Sequence, residues 1–216
     1  MFCSKKAYHH GDLRGALLEA AEEQLEEEGP AGLSLRKLGR ALGVSPGAPY
    51  RHFEDKDALL TELATTGFKR LRSMMIDEMA DATGAADRLR LLGVGYLKFA
   101  SSHPGLFRLV FGWMPAADSP ERTESGDAAF ATFLEVLDQC AKEGLLRHDV
   151  MNAQLLSWSA IHGAAFLMID NNLKLWPMTP DPVAIANRVH DTVWEGISSQ
   201  TPKAPSLQDS TLPMRP

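Results

Sequence analysis

Five cationic side chains, Arg36, Lys37, Arg40, Arg51 and Lys56, fall between Ser34 and Lys56. Only two acids, Glu54 and Asp55, share this segment, so it carries +3 in a chain of −6. Arg36 and Arg40 are four residues apart, on one face of any helix that holds them. A guanidinium fork suits phosphate oxygens or the O6/N7 edge of guanine, and an ammonium suits phosphate. Tyr50 and His52 add a hydroxyl and an imidazole beside Arg51. Such a set does polyanion chemistry, not bond-making. The same density also suits a solvated surface, and charge alone does not separate the two.

Bond-making chemistry finds little support elsewhere. No nucleophile–base motif, pair of catalytic carboxylates, phosphate loop or zinc signature stands out, so no enzyme activity and no cofactor are expected. His9, His10 and Asp12 are possible metal ligands, but adjacent histidines rarely converge on one ion and no partner motif follows. A partly basic arm with Lys5, Lys6 and Arg14 is the better reading of that end. The acidic run Glu22–Glu28 reads as a solvated helix end. Cys3 and Cys140 are the two cysteines, which gives no disulfide framework and fits a reducing cytoplasm. Neither a signal peptide nor a membrane span is read.

The elements that position these groups read as helices throughout, an all-α fold. Leu13, Leu17, Ala21 and Leu25 mark one face of a helix over Gly11–Glu28, which Gly29-Pro30 stops. Ser34 reads as the N-cap of Leu35–Leu42, and Gly43 as its left-handed C-terminal residue. The next segment, Ser45 to Arg51, holds two prolines and a glycine, all poor helix formers. With Ser45 as N-cap, Pro46 sits where its missing N–H costs nothing. Pro49 forfeits one bond, to the Ser45 carbonyl, so this short helix must be held by packing of Val44, Tyr50 and Phe53. A helix, a glycine turn and a second slim helix form a helix-turn-helix, whose second helix enters the major groove of DNA. Asp55 then caps a long helix to about Ala80. Further helices are expected at Ala85–Ser101, Pro104–Gly112, Gly126–Glu143, Met151–Leu173 and Pro182–Ile197.

The stretch LSLRKLGRALGVSPGAPYRHFEDKDALL, Leu33 to Leu60, resembles the DNA-binding signature of the TetR family of transcriptional regulators. The matching residues are Ser34-x-Arg36, Gly43-Val44-Ser45, Tyr50-x-His52-Phe53, Lys56 and Leu59, and YHHGDLRGALLEAA resembles the family's first helix. Pro49 departs from it, standing where many members carry an apolar residue. WSAIHG, Trp158 to Gly163, resembles the Trp…His-Gly element of one C-terminal subgroup, the WHG domain. The resemblance implies about nine helices. Residues 1–55 form the helix-turn-helix domain and residues 56–198 an effector-binding and dimerisation domain, joined by the helix over 56–80. Residues 199–216 are expected to be a disordered tail.

By this resemblance Ser34, Arg36, Lys37, Ser45, Gly47, Ala48, Tyr50, Arg51, His52 and Lys56 face DNA. Helix packing remains the alternative for Tyr50 and His52. The second half is rich in rings, which are core by default at helical spacing. An effector pocket is expected among Phe68, Leu71, Met75, Tyr96, Phe99, Phe107, Phe111, Trp113, Phe133, Trp158 and His162. Leu155, Ser159, Gly163 and Phe166, with Val189 and Val193, are expected to form a homodimer seam. The function implied is a repressor bound as a homodimer to a palindromic operator in double-stranded DNA. A small, largely apolar effector, whose identity the sequence does not give, would release it. An activator of the same build and an all-α ligand-binding or interaction protein are the alternatives.

Overall fold

The computed structural model describes residues 12–112, 119–175 and 181–199, and among these every regular element is helical. Helix α1, Leu13–Gly32, begins at Asp12, whose carboxylate accepts the Gly15 N–H at 2.8 Å. Its helical path breaks at Gly29, with φ 67°, as the Gly-Pro pair predicts. Leu17, Ala21 and Leu25 are buried along its inner face. Helix α2, Leu35–Ala41, follows from Ser34. It closes with the Val44 N–H bonded to the Gly39 carbonyl at 3.0 Å, while Gly43 takes φ 69°. That left-handed step suits a residue without Cβ.

The predicted helix after this turn is shorter and tighter than expected. Residues 46–48 form a turn, and only Pro49–Arg51 is helical, as a 3₁₀ turn. The physical reason is Pro49. Without an N–H it cannot bond the Ser45 carbonyl, which takes the Ala48 N–H instead at 3.0 Å. The spacing contracts from four residues to three, which is 3₁₀ geometry. Packing holds the piece in place: Pro49 and Phe53 are buried. A Cβ on Gly39 would lie 2.9 Å from Pro49 Cγ, so α2 admits the proline ring only because residue 39 has none.

Helix α3, Lys56–Glu78, is capped by Asp55, which accepts the Ala58 N–H at 2.8 Å. It leaves the head and becomes the spine of the larger domain, packing on α4 (Ala85–Ser102), α5 (Pro104–Gly112) and α6 (Pro120–Lys142). α7 (Val150–Ile169) and α8 (Pro182–Ile197) pack on each other and on α4. Two boundaries differ from the sequence reading. α6 begins at Pro120, capped by Ser119, because a cap and an N1 proline start the helix ahead of its apolar stripe. α7 ends at Ile169, where Asn171 turns to φ 58° before a 3₁₀ turn at Asn172–Leu175. Ser199, assigned to the tail, donates its N–H to the Leu145 carbonyl at 2.8 Å. The tail beyond it lies outside the described residues.

Candidate nucleic-acid interface and inner cavity

The head presents Arg36, Lys37, Ser45, Gly47, Tyr50, Arg51 and His52 to solvent, while Ser34, Ala48 and Lys56 are half-buried. Tyr50 is 45% exposed, unusual for a ring of its size beside the buried Phe53. The alternative of Tyr50 as a packing residue therefore loses support. Among the described residues Arg36, Arg40 and Arg51 make no ion pair. The two lysines are engaged. Lys37 Nζ lies 2.8 Å from Glu28 Oε2, and this bond holds the Glu28 carboxyl below its ordinary range. Lys56 Nζ donates to the Ala31 carbonyl at 3.2 Å. Both tie α1's kinked end to the next helices, a role that spacing along the chain does not reveal. Arg40 shares the exposed face of α2 with Arg36.

His9 and His10 lie outside the described residues. Among the described residues no group of three His, Cys, Asp or Glu is placed to hold a metal. No described helix is long and apolar enough to cross a membrane.

The larger domain encloses a cavity of about 160 Å³ between α3, α4, α5, α6 and α7. Phe68, Leu71, Met75, Tyr96, Phe111, Phe133 and Trp158 line it. Leu92, Gly126, Ala129, Phe130 and Ile161 complete the wall and were not singled out in the sequence. For Leu92, Gly126, Ala129 and Ile161 the signal was weak because an aliphatic or small residue on a helix looks the same in a cavity wall as in a packed core, and Phe130 is one of the rings that helical spacing makes core by default. Phe99 and Phe107 are corrections: both are 0% exposed and sit behind the wall, Phe107 packing on Tyr96 at 5.5 Å and on Phe166 at 5.3 Å. Trp113 lies outside the described residues.

His162 is also behind the wall. Its ring stacks on Trp158 at 5.2 Å and 14°, and its Nδ1 lies 2.6 Å from the Tyr96 hydroxyl. Burial pushes the Tyr96 hydroxyl up and the His162 imidazole down in pKa. Both shifts favour neutral forms, so the phenol donates and the imidazole accepts. The WSAIHG element thus sets a wall: Trp158 faces the cavity, and His162 braces Trp158 and Tyr96 from behind.

The proposed seam divides between two faces. Met151, Leu155, Ser159, Gly163 and Leu167, at steps of four, are all exposed on α7, and Leu156 lies beside them. Phe166 is a correction: it is half-buried against Phe107 and His162. Val189 and Val193 likewise turn inward and line a smaller inner cavity. α7 is apolar on both sides, so periodicity could not say which side faces out.

Two family models match the chain. "Bacterial regulatory proteins, tetR family" covers residues 17–63, and "Tetracyclin repressor-like, C-terminal domain" covers residues 89–193, which include Trp158 to Gly163. An uncharacterised HTH-type transcriptional regulator of Bacillus subtilis, YobS, is 32% identical over 91 residues, 42% of this chain and 47% of that protein, so the match spans about half the relative's length. The nucleoid occlusion factor SlmA of Vibrio cholerae is 27% identical over 76% of this chain and 87% of its own. A solved structure from Rhodococcus sp. RHA1, of unknown function, is 33% identical with a TM-score of 0.76, covering 90% of this chain and 100% of its own. A TetR family transcription regulator from Marinobacter aquaeolei VT8, 20% identical over 87% of this chain and 96% of its own, shares the fold with a TM-score of 0.65.

Proposed function

This chain belongs to the TetR family of bacterial regulatory proteins, which are transcription regulators and not enzymes, and from that premise we propose that it is a ligand-responsive repressor. It acts in the cytoplasm as a homodimer on a palindromic operator and leaves the operator when a small apolar molecule enters the 160 Å³ cavity. The observation that carries this reading is α3. One helix of 23 residues starts at Lys56 in the cationic head and supplies Phe68, Leu71 and Met75 to the cavity wall. At 1.5 Å per residue it spans roughly 34 Å.

A ligand that moves the cavity end of such a rod displaces the reading head at the other. Two heads in a dimer must match a fixed half-site spacing, so a small tilt costs much of the fit. The ligand acts only through unequal affinity for the two states, and taking the population from 1:99 to 99:1 needs about 5.5 kcal/mol. Burying on the order of 200 Å² more apolar surface in one state supplies about 5 kcal/mol at ~25 cal/mol per Å².

The test is selection of bound duplexes from a random DNA pool, followed by anisotropy titrations at several salt concentrations. The expected result is an inverted repeat bound by a dimer with a steep salt dependence. A pool that yields no common sequence would remove the operator from this reading.

A further inference from the structure

A second cavity, of about 40 Å³, lies beside the first, between α4, α6, α7 and α8. Leu92, Phe133 and Ile161 line both, so a single layer of side chains separates them. The two differ in chemistry. The larger is walled by apolar and aromatic side chains, and its Tyr96 hydroxyl is already bonded to His162. The smaller is lined by Ser157 and His190, and Ser157 Oγ is a buried polar atom without a hydrogen-bond partner. Ser157 is 8% exposed and neighbours Trp158 on α7, so it sits beside a wall of the larger cavity. The His190 ring is held by stacking on Trp194 at 5.8 Å and by Asp191, 3.3 Å from Nδ1. From α4 the backbone of Ala86 hydrogen-bonds this imidazole and the Arg90 guanidinium acts on it, so Ser157 is the group left to be satisfied. A buried hydroxyl left without a partner is unfavourable until something bonds it.

We propose that the effector is an apolar molecule bearing one hydroxyl, its body in the larger cavity and its hydroxyl in the smaller, bonded to Ser157. The inference rests on the reading of the larger cavity as the effector site. A volume near 160 Å³ suits a body of about six to ten non-hydrogen atoms, since a cavity of ~150 Å³ takes benzene. A hydroxyl both donates and accepts, so it pairs with the Ser157 hydroxyl in either direction. No Lys or Arg lines either cavity, and burial favours the neutral form of His190, so a neutral head group fits the smaller cavity better than a carboxylate. Spanning both cavities requires the shared layer of Leu92, Phe133 and Ile161 to move aside.

Two probes of one body separate the possibilities: 4-propylphenol and propylbenzene, titrated into the full-length protein by calorimetry. Ser157→Ala is expected to weaken 4-propylphenol about tenfold and leave propylbenzene unchanged, and Ser157→Thr, which keeps the hydroxyl, to restore the phenol. If both probes bind and Ser157→Ala leaves their ratio as in the parent, this inference is overturned alone, and the small cavity holds water. If neither probe binds the parent, the effector-cavity reading itself falls, and this inference with it.

Discussion

Glu26 on α1 caps the start of α5 at Gly105. Its Oε2 accepts the Gly105 N–H at 2.5 Å, and its Oε1 accepts the Leu106 N–H at 3.2 Å. The same seam holds an Arg70–Glu22 ion pair and His103, whose Nδ1 lies 3.3 Å from Arg70. α5 therefore touches the head at one end and supplies Phe111 to the cavity wall at the other. It is a second link between cavity and head, beside α3.

Gly105→Ala tests that link without any ligand. A Cβ there would sit 2.8 Å from Glu26 Oε2 and 2.9 Å from the Leu25 carbonyl, and the carbonyl cannot swing aside. Overpacking of this kind costs about 1–3 kcal/mol. The expected outcome is a lower melting temperature together with operator binding weakened severalfold, read by anisotropy. A lower melting temperature with parental operator affinity would make the seam structural only.

For the head, Arg36→Ala is expected to cost about 1–3 kcal/mol and relax preference at one base pair per half-site. Arg51→Ala is expected to weaken all sequences alike and to flatten the salt slope by about one unit. Lys56→Ala should act on both quantities, because the amine also holds the Ala31 carbonyl. Its signature is a flatter salt slope with a less stable head. Salt titrations of the three variants against parent check the assignment.

How much of this was legible depended on the kind of signal. Caps and breakers fixed boundaries well: Asp55, Gly29-Pro30 and Pro182 stand where the reading put them. Pro49 was flagged as costing a bond, but its reach was not, since a lost bond does not say which donor replaces it. The facing of α7 was illegible because both its sides are apolar, and only the packing of Phe166 on Phe107 decides it. Lys37 and Lys56 were expected to face DNA, and their contacts to Glu28 and Ala31 were not legible because those partners meet them only through the kink of α1.

The exposed α7 stripe leads to a sharper assembly test than Phe166. Leu155 is 66% exposed, and Met151, Ser159 and Gly163 continue its face. Leu155→Glu is expected to give a folded monomer by sedimentation, with operator binding lost. Phe166→Glu places a charge against Phe107 and His162 and is expected to lower the melting temperature sharply instead. A Leu155→Glu dimer of parental affinity would move the seam elsewhere.

Acid should destabilise the fold before any carboxylate titrates. His103, His162 and His190 are each held below the ordinary 6.5, first by burial, with Arg70 adding to the effect at His103. Below 6.5 the unfolded chain binds protons that the native state refuses, so stability falls as pH falls. Above 6.5 this contribution is fully present. Melting temperatures between pH 7.5 and 5.5 should therefore drop, and His162→Gln should show a shallower drop than parent.

Filling the cavity should separate effector response from DNA binding. Ala129 on α6 is 4% exposed and forms part of the wall, so Ala129→Leu adds three carbons at the cavity. Cavity filling of this kind commonly adds about 0.5–2 kcal/mol of stability. Met75→Trp blocks the same space from α3, where Met75 is 2% exposed. Phe107→Trp does not, because Phe107 sits behind the wall and a larger ring there strains the core. The expected result for Ala129→Leu is a raised melting temperature, parental operator affinity and no response to propylbenzene at concentrations that shift the parent. An unchanged propylbenzene response would place the responsive volume outside the space between α3, α4 and α6.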